Sequence, residues 1–245
     1  MSEHHVSHIP LDRTSPVIFK ASVIIPVLNE APHLQSRLLA LQALREQGVE
    51  LVVVDGGSQD GSPKLTKGLV DQCLVTERGR ARQMNQGAAV ARGTWLVFLH
   101  ADTALTPAAT QRLMTVIAAD TPSWGRFNVR IIGQHPMLRV IAWMMNRRSC
   151  LTSIATGDQC ILVHRELFNT INGYPEQPLM EDIELSRSLK SKMSAQCWPE
   201  TVETSGRRWE QQGVWRTILL MWSLRWRYWR GASAEQLVKE YYECK

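Results

Sequence analysis

The chain has 245 residues, 44% of them hydrophobic, enough to bury the core of one α/β domain with at most a small appendage. Its net charge of +5 and pI near 9.1 come from interspersed charges except at the C-terminus, which favours an anionic small ligand or a membrane surface over a nucleic-acid groove. Nowhere do roughly 18 apolar residues run uninterrupted, which argues against a bilayer span. Cys73, Cys150, Cys160, Cys197 and Cys244 are odd in number, form no C-x-x-C pair and follow no secretory apolar segment, so a reducing cytoplasm is the expected compartment.

Residues 1–18, with His4, His5, His8, Pro10 and Pro16, lack periodicity and read as a mobile arm, a histidine metal cluster being the alternative. Ala21 to Val27 is the first expected strand. Pro26 takes the end of that strand out of regular pairing and delivers Asn29 and Glu30 into a loop. Pro32 to Gln47 has an apolar face of Leu34, Leu38, Leu41 and Leu44 and stops at Gly48, as an amphipathic helix does. Glu50 to Val54 is a second strand, so strand, helix and strand form a βαβ unit on a parallel sheet.

That second strand ends in Asp55-Gly56-Gly57-Ser58-Gln59-Asp60-Gly61. The glycines are not spaced G-x-G-x-x-G and the acid precedes them, which argues against a dinucleotide-binding turn. Asp55 at a strand end suits hydrogen bonds from a nucleobase or ribose. It can also close an Asx-type turn with Ser58, and the two roles are compatible.

A short strand over 72–76 precedes an expected helix from Arg80 to Arg92. Gly87, Ala88, Ala89 and Ala91 allow this helix close approach to the sheet or a ligand. Arg80 and Arg82 sit in its first turn, against the helix dipole; a bound diphosphate would explain them, and so would a solvated surface. After Gly93 comes the buried strand Trp95 to Leu99, ending in His100-Ala101-Asp102-Thr103. Asp102 is a hard oxygen ligand and His100 a borderline nitrogen ligand, able together to hold a divalent cation against a phosphate. Alternatively, Asp102-Thr103 caps the helix that begins near Pro107.

Leu105 to Ala119 reads as a helix and Gly125 to Ile132 as a half-exposed strand. Met137 to Arg148 reads as a helix whose Trp143, Met144 and Met145 are either core or a lipid groove. Cys160 to Val163 is a strand, and Glu181-Asp182 opens another helix, where a carboxylate can simply cap. In the stretch that begins at Gly213, Trp215, Trp222, Trp226 and Trp229 interleave with Arg216, Arg225, Arg227 and Arg230. That mixture suits an interfacial helix or a helix packed on the domain; no nucleic-acid module accompanies it.

Ser22 to Glu30, Val53-Val54-Asp55-Gly56-Gly57-Ser58-x-Asp60-Gly61, Asn85-x-Gly87-x-x-x-Ala91-x-Gly93 and Phe98-Leu99-His100-Ala101-Asp102 resemble the nucleotide-sugar half of family 2 glycosyltransferases. The likeness continues through Gly157-Asp158 and Met180-Glu181-Asp182 to Arg207-Arg208-Trp209. Within the family the chain looks most similar to the small bacterial branch named for arsenosugar biosynthesis, on Gly79 to Asn85, Leu99 to Thr103 and Thr204 to Glu210.

The resemblance implies a GT-A fold: an α/β, mostly parallel central sheet flanked by helices, over residues 19–212, with an amphipathic helical segment over 213–245. It implies a nucleoside pocket lined by Pro26, Asn29, Glu30 and Asp55. The donor site extends to Arg80, Arg82, Asn85, His100, Ala101, Asp158, Arg208 and Trp209. Asp102, with His100 in place of the family's first D-x-D acid, is the expected ligand of Mg²⁺ or Mn²⁺, and Asp182 the expected base. A nucleoside-diphosphate sugar is the expected donor and a small molecule or lipid the acceptor, with peripheral membrane contact through the C-terminal helix. One evident base favours displacement with inversion. A catalytically weak sugar-nucleotide-binding or membrane-docked partner, and a metal-dependent phosphohydrolase using His100, Asp102, Asp158 and Asp182, are the alternatives.

Overall fold

The computed structural model describes residues 19–243; the expected N-terminal arm with its histidines lies outside them, as does Cys244. The elements, in chain order, are β1 (Ala21–Val27), α1 (Ala31–Ala40), α2 (Gln42–Glu46), β2 (Val49–Asp55), β3 (Gln72–Val75), α3 (Arg80–Val90), β4 (Trp95–Phe98), β5 (Thr103–Leu105) and α4 (Pro107–Ala119). They continue with β6 (Trp124–Ile132), α5 (Met137–Thr152), β7 (Ile161–His164), α6 (Arg165–Thr170), α7 (Glu181–Lys190), β8 (Gln196–Ser205), α8 (Arg207–Gln212), α9 (Val214–Trp229) and α10 (Ala234–Glu243). Two 3₁₀ segments complete the described residues, Ser62–Thr66 after β2 and Gly157–Gln159 before β7.

One eight-stranded sheet has the order β3-β2-β1-β4-β7-β6-β8-β5. The first four strands are mutually parallel, so the loops after β1, β2 and β4 emerge at one edge, where open α/β sheets bind ligands. β7 then runs antiparallel to β4 and β6, β8 parallel to β6, and β5 antiparallel to β8. The sheet is parallel in its nucleotide-facing half and mixed beyond.

β1 and β2 are buried along their whole length because helices cover both faces, which is why they read as continuous apolar runs. Val23, Ile25, Leu51 and Val53 face α1, α2 and α4, packing with Leu34, Leu38, Leu44 and Leu113. Ile24, Val52 and Val54 face the other way, onto Ala81, Met84 and Ala88 of α3. Gly87 permits that contact: a Cβ there would lie 2.4 Å from Cγ2 of Ile24. A third apolar cluster joins Leu224 and Leu237 of α9 and α10 to Leu179, Met180 and Ile183.

The single helix expected over 32–47 is two, broken at Leu41. There the Gln42 side chain donates to the carbonyls of Leu38 and Leu69. The helix from Arg80 ends at Val90 because Ala91 turns extended, letting Gly93 pass against the Ala21 backbone. β8 is unexpected from sequence: it is half polar and contains Pro199, accommodated at a shift in register opposite Phe127 and Asn128.

Candidate functional site

The loops after β1 and β2 are laced together by side chains. Asn29, at φ 55, donates its backbone N–H to Ser58 Oγ (2.8 Å) and accepts at Oδ1 from the Gln59 N–H (2.9 Å). The Glu30 and Ala31 amides donate to Ser62 and Asp60. Asp55 closes the expected turn: its Oδ2 accepts from the Gly57 and Ser58 amides at 2.9 and 2.8 Å. Its Oδ1 is buried with no hydrogen-bond partner, in a residue only 1% exposed. Such an acceptor is costly unless a donor meets it, so the turn role leaves one oxygen for a ligand.

Gln83, unremarked in the sequence, fastens α3 above these strands: its Nε2 donates to the carbonyls of Val27 (2.9 Å) and Val54 (2.8 Å). The signal was a polar side chain four residues before Gly87, on the helix face that meets the sheet. α3 thereby carries Arg80 to the cleft. Burial acts against the charge of Arg80, but Tyr241, Glu181, Asp158 and Asp102 outweigh it and raise its pKa. Arg82 lies at the rim, paired with Glu77 and, at 3.8 Å, with Glu176.

The antiparallel pairing of Phe98 with Ile161 sets the Gly157–Gln159 turn beside the end of β4. His100 packs on that turn, and a Cβ on Gly157 would fall 2.2 Å from its Nε2. His100 Nδ1 lies 3.5 Å from Asp158 Oδ1. Ligand atoms of His100, Asp102 and Asp158 all lie within 4.8 Å of one another, a nitrogen and carboxylate set that suits Mn²⁺ or Mg²⁺. Burial raises the Asp158 pKa, but His100, Arg80 and Arg208 more than reverse it and hold the carboxyl below its ordinary range. Asp102 does not cap α4. That role belongs to Thr106, whose Oγ1 accepts from the Ala109 N–H at 3.2 Å.

Asp182 sits in the first turn of α7 and reaches the same turn: its Oδ2 accepts from the Gly157 N–H at 3.0 Å and its Oδ1 from the Ile183 N–H at 2.8 Å. Its neighbour Glu181 is buried, and burial together with the Asp182 charge raises the Glu181 pKa.

Pairing of Thr103 with Thr204 brings the chain after β8 to the Asp102 side. Arg207 Nη2 lies 3.6 Å from Glu30 Oε2, a partner that the sequence reading missed. Burial raises the Glu30 pKa against the opposing effect of Arg207. Arg208 stacks its guanidinium 3.9 Å from the Tyr241 ring centroid and donates to the Tyr241 hydroxyl, while its Nη2 is buried with no partner.

These groups surround a cleft of about 480 Å³ lined by Pro26, Glu30, Arg78, Arg80, Arg82, His100, Ala101 and Asp102, with Glu176 to Pro178 opposite. Two residues of the expected donor set have other employment. Both ends of the Asn85 amide bond the Tyr174 backbone, at 2.8 and 2.9 Å, and Trp209 packs against the core. Asn29, Asp55, Asp158, Arg208 and Asp182 stand around the cleft without lining it.

Solved structures with a similar fold include GT-A glycosyltransferases. A Pyrobaculum calidifontis mannosyltransferase, PcManGT, in complex with GDP-Man and Mn²⁺, superposes over 75% of this chain and 56% of its own at TM-score 0.57 and 22% identity. Staphylococcus aureus TarS 1-349 in complex with UDP does so over 76% and 60% at TM-score 0.58 and 16% identity. The family model for Glycosyl transferase family 2 matches residues 22–168, and the chain belongs to that family. A PGL/p-HBAD biosynthesis glycosyltransferase of Mycobacterium bovis is 32% identical over 169 residues, 62% of this chain and 62% of the relative's length.

Proposed function

We propose that the protein is an inverting, cation-dependent glycosyltransferase that uses a nucleoside-diphosphate sugar. The observation that carries this reading is the His100, Asp102 and Asp158 cluster beside a cleft lined by Arg78, Arg80 and Arg82. Pro26, Asn29, Glu30 and Asp55 hold the nucleoside, with the unpaired Oδ1 of Asp55 accepting from the base or ribose. Arg80 and Arg208 face the diphosphate. His100, Asp102 and Asp158 would hold Mg²⁺ or Mn²⁺, which would neutralise charge on the phosphates.

Asp182 removes the proton from the acceptor hydroxyl as its oxygen bonds to the anomeric carbon. The bond from that carbon to the donor phosphate breaks, and the nucleoside diphosphate leaves with the electron pair. Arg80, whose charge Glu181, Asp158 and Asp102 favour, stabilises the charge that develops there.

None of the described helices is long and apolar enough to cross a membrane. We place the protein on the cytoplasmic face of a membrane, held by α9. Trp215, Leu219, Trp222, Trp226 and Trp229 are exposed at spacings that put them on one helical stripe, beside the exposed Arg216 and Arg230, which suit anionic headgroups. This supports docking over a core helix.

The test is thermal stability with UDP and GDP, each with and without Mn²⁺, followed by release of nucleoside diphosphate from the matching sugar donors. Cation-dependent stabilisation by one nucleotide is expected, about 2.7 kcal/mol at a hundred times the dissociation constant. No stabilisation by either nucleotide overturns the reading.

A further inference from the structure

Arg148 on α5 and Arg225 on α9 are not used by the donor site. The Arg148 Nη2 is buried without a hydrogen-bond partner, and neither guanidinium forms an ion pair among the described residues. Burial and the neighbouring charges of Arg225 and Arg126 lower the Arg148 pKa to about 10, with Asp182 the carboxylate that opposes them. Arg126 is itself buried and bonds neutral groups, among them Asn128 Oδ1 and the Asn146 carbonyl. Three cations thus converge near one carboxylate, an arrangement that repels itself unless an anion joins it.

The residues next to both arginines are tied to the surroundings of Asp182. Ser149, next to Arg148, accepts from Gln159 Nε2 at 2.9 Å, in the turn whose Gly157 N–H bonds Asp182. Leu224, next to Arg225, packs with Met180 and Ile183 on the other side of Asp182. Each helix also carries an exposed apolar stripe, Trp143, Met144 and Leu151 on α5 and the tryptophans on α9. Cations on two helices that also carry exposed apolar residues match an amphiphile with a compact anion at its head.

We infer that the acceptor is a hydroxylated phospholipid whose phosphate binds Arg148 and Arg225, its tails lying along α5 and α9 and its headgroup hydroxyl meeting Asp182. This rests on the transfer reading, and the chemistry is consistent with it: the phosphate anchors and the separate hydroxyl attacks.

The experiment uses the full chain and three probes: dihexanoyl-phosphatidylglycerol, the same lipid with a choline headgroup, and glycerol 3-phosphate. Binding is followed by tryptophan fluorescence and melting temperature. The phosphatidylglycerol should bind at least tenfold more tightly than either other probe. Arg148→Gln and Arg225→Gln should each weaken it at least tenfold, with Arg148→Lys intermediate, since Lys keeps the charge without the planar fork. Equal binding of the choline lipid, which carries the same phosphodiester without a headgroup hydroxyl, overturns the assignment of a hydroxylated acceptor, and failure of both Arg→Gln variants to weaken binding overturns the anion site. Equal binding of glycerol 3-phosphate overturns the lipid. UDP and GDP with Mn²⁺ are titrated into the same samples: nucleotide binding without lipid binding defeats this inference alone, and lipid binding without nucleotide binding defeats the transfer reading.

Discussion

The imidazole of His100 faces the Asp158 carboxylate, Nδ1 to Oδ1 at 3.5 Å, because its other edge rests on the backbone of Gly157, where no Cβ fits. The two residues come from the end of β4 and the turn before β7, joined by antiparallel pairing of those strands. If this contact sets the cation site, Gly157→Ala displaces the ring and weakens Mn²⁺-dependent nucleotide binding at least about tenfold, roughly 1.4 kcal/mol. Asp102→Asn should nearly abolish it, and His100→Asp should retain or strengthen it by supplying a hard oxygen. Calorimetric titration checks all three; an unaffected Asp102→Asn would remove Asp102 from the site.

Asp55 uses one oxygen for the turn and keeps the other unpaired, so two substitutions separate its roles. Asp55→Asn can keep an acceptor toward the Gly57 and Ser58 amides while presenting an N–H₂ where the ligand's donor would arrive. Nucleoside diphosphate binding should then weaken by about 1.5 to 3 kcal/mol, the worth of a charged hydrogen bond, with little change in melting temperature. Asp55→Ala should lose both affinity and about 1 kcal/mol of stability. Unchanged affinity in the Asn variant would take Asp55 out of the pocket.

The parts of this architecture readable from sequence are those set by local pattern. β1, β2 and β4 are buried throughout and mostly apolar because they are covered on both faces, and Asp55, His100 and Asp102 stand where such strands end. What pattern does not carry is long-range pairing. Asp158 reaches His100 only through β4 and β7, and Arg207 reaches Glu30 only because β8, half polar and interrupted by Pro199, pairs with β6 and β5. Family likeness supplied Asp158, Asp182 and Arg208. Gln83 and Arg207 act through geometry alone, and Asn85, part of the motif, acts on the Tyr174 backbone.

Glu50 makes stability depend on pH. Its carboxylate lies inside the sheet edge and accepts from Ser22 Oγ, Gln72 Nε2 and both the backbone N–H and Nε of Arg92. Burial raises its pKa, but these donors outweigh burial and leave it below the ordinary 4.5. A lowered folded value means that the contribution is present above the unfolded pKa and is lost as pH falls through the folded one. Glu50→Gln should cost about 1 to 3 kcal/mol at neutral pH, where its donors lose their acceptor. The difference from the parent should shrink below about pH 4.5, as read by urea unfolding between pH 7 and pH 3. A constant difference across that range would show that Glu50 is not ionised in the folded protein.

The exposed stripe of α9 distinguishes docking from packing. Trp226 and Trp229 are 56% and 74% exposed, so Trp226→Ala with Trp229→Ala should leave the melting temperature within a degree or two. It should lower partitioning onto anionic vesicles by about tenfold or more, since interfacial aromatics and arginines act together at a bilayer surface. Co-sedimentation with phosphatidylglycerol and phosphatidylcholine vesicles reads this directly. A parent protein that stays in the supernatant with both, or a variant that melts far lower, would assign the stripe to folding.

Asp182 decides whether this site catalyses or only binds. Its oxygens accept from the Gly157 and Ile183 amides, so the carboxylate is both aimed and anchored. Asp182→Asn keeps the shape and one acceptor oxygen but gives up the other, and should cost about 1 kcal/mol of stability. Donor affinity should change little, because the group acts on the acceptor in the transition state. Turnover should fall by about 10² to 10⁴, the usual worth of a positioned general base. A purely structural role predicts the opposite division, since asparagine also serves well at a helix start: stability reduced slightly, turnover reduced in proportion to folded protein and no further. Measuring nucleotide affinity, melting temperature and transfer rate on this one variant separates the two, and full activity per folded molecule would end the assignment of Asp182 as the base.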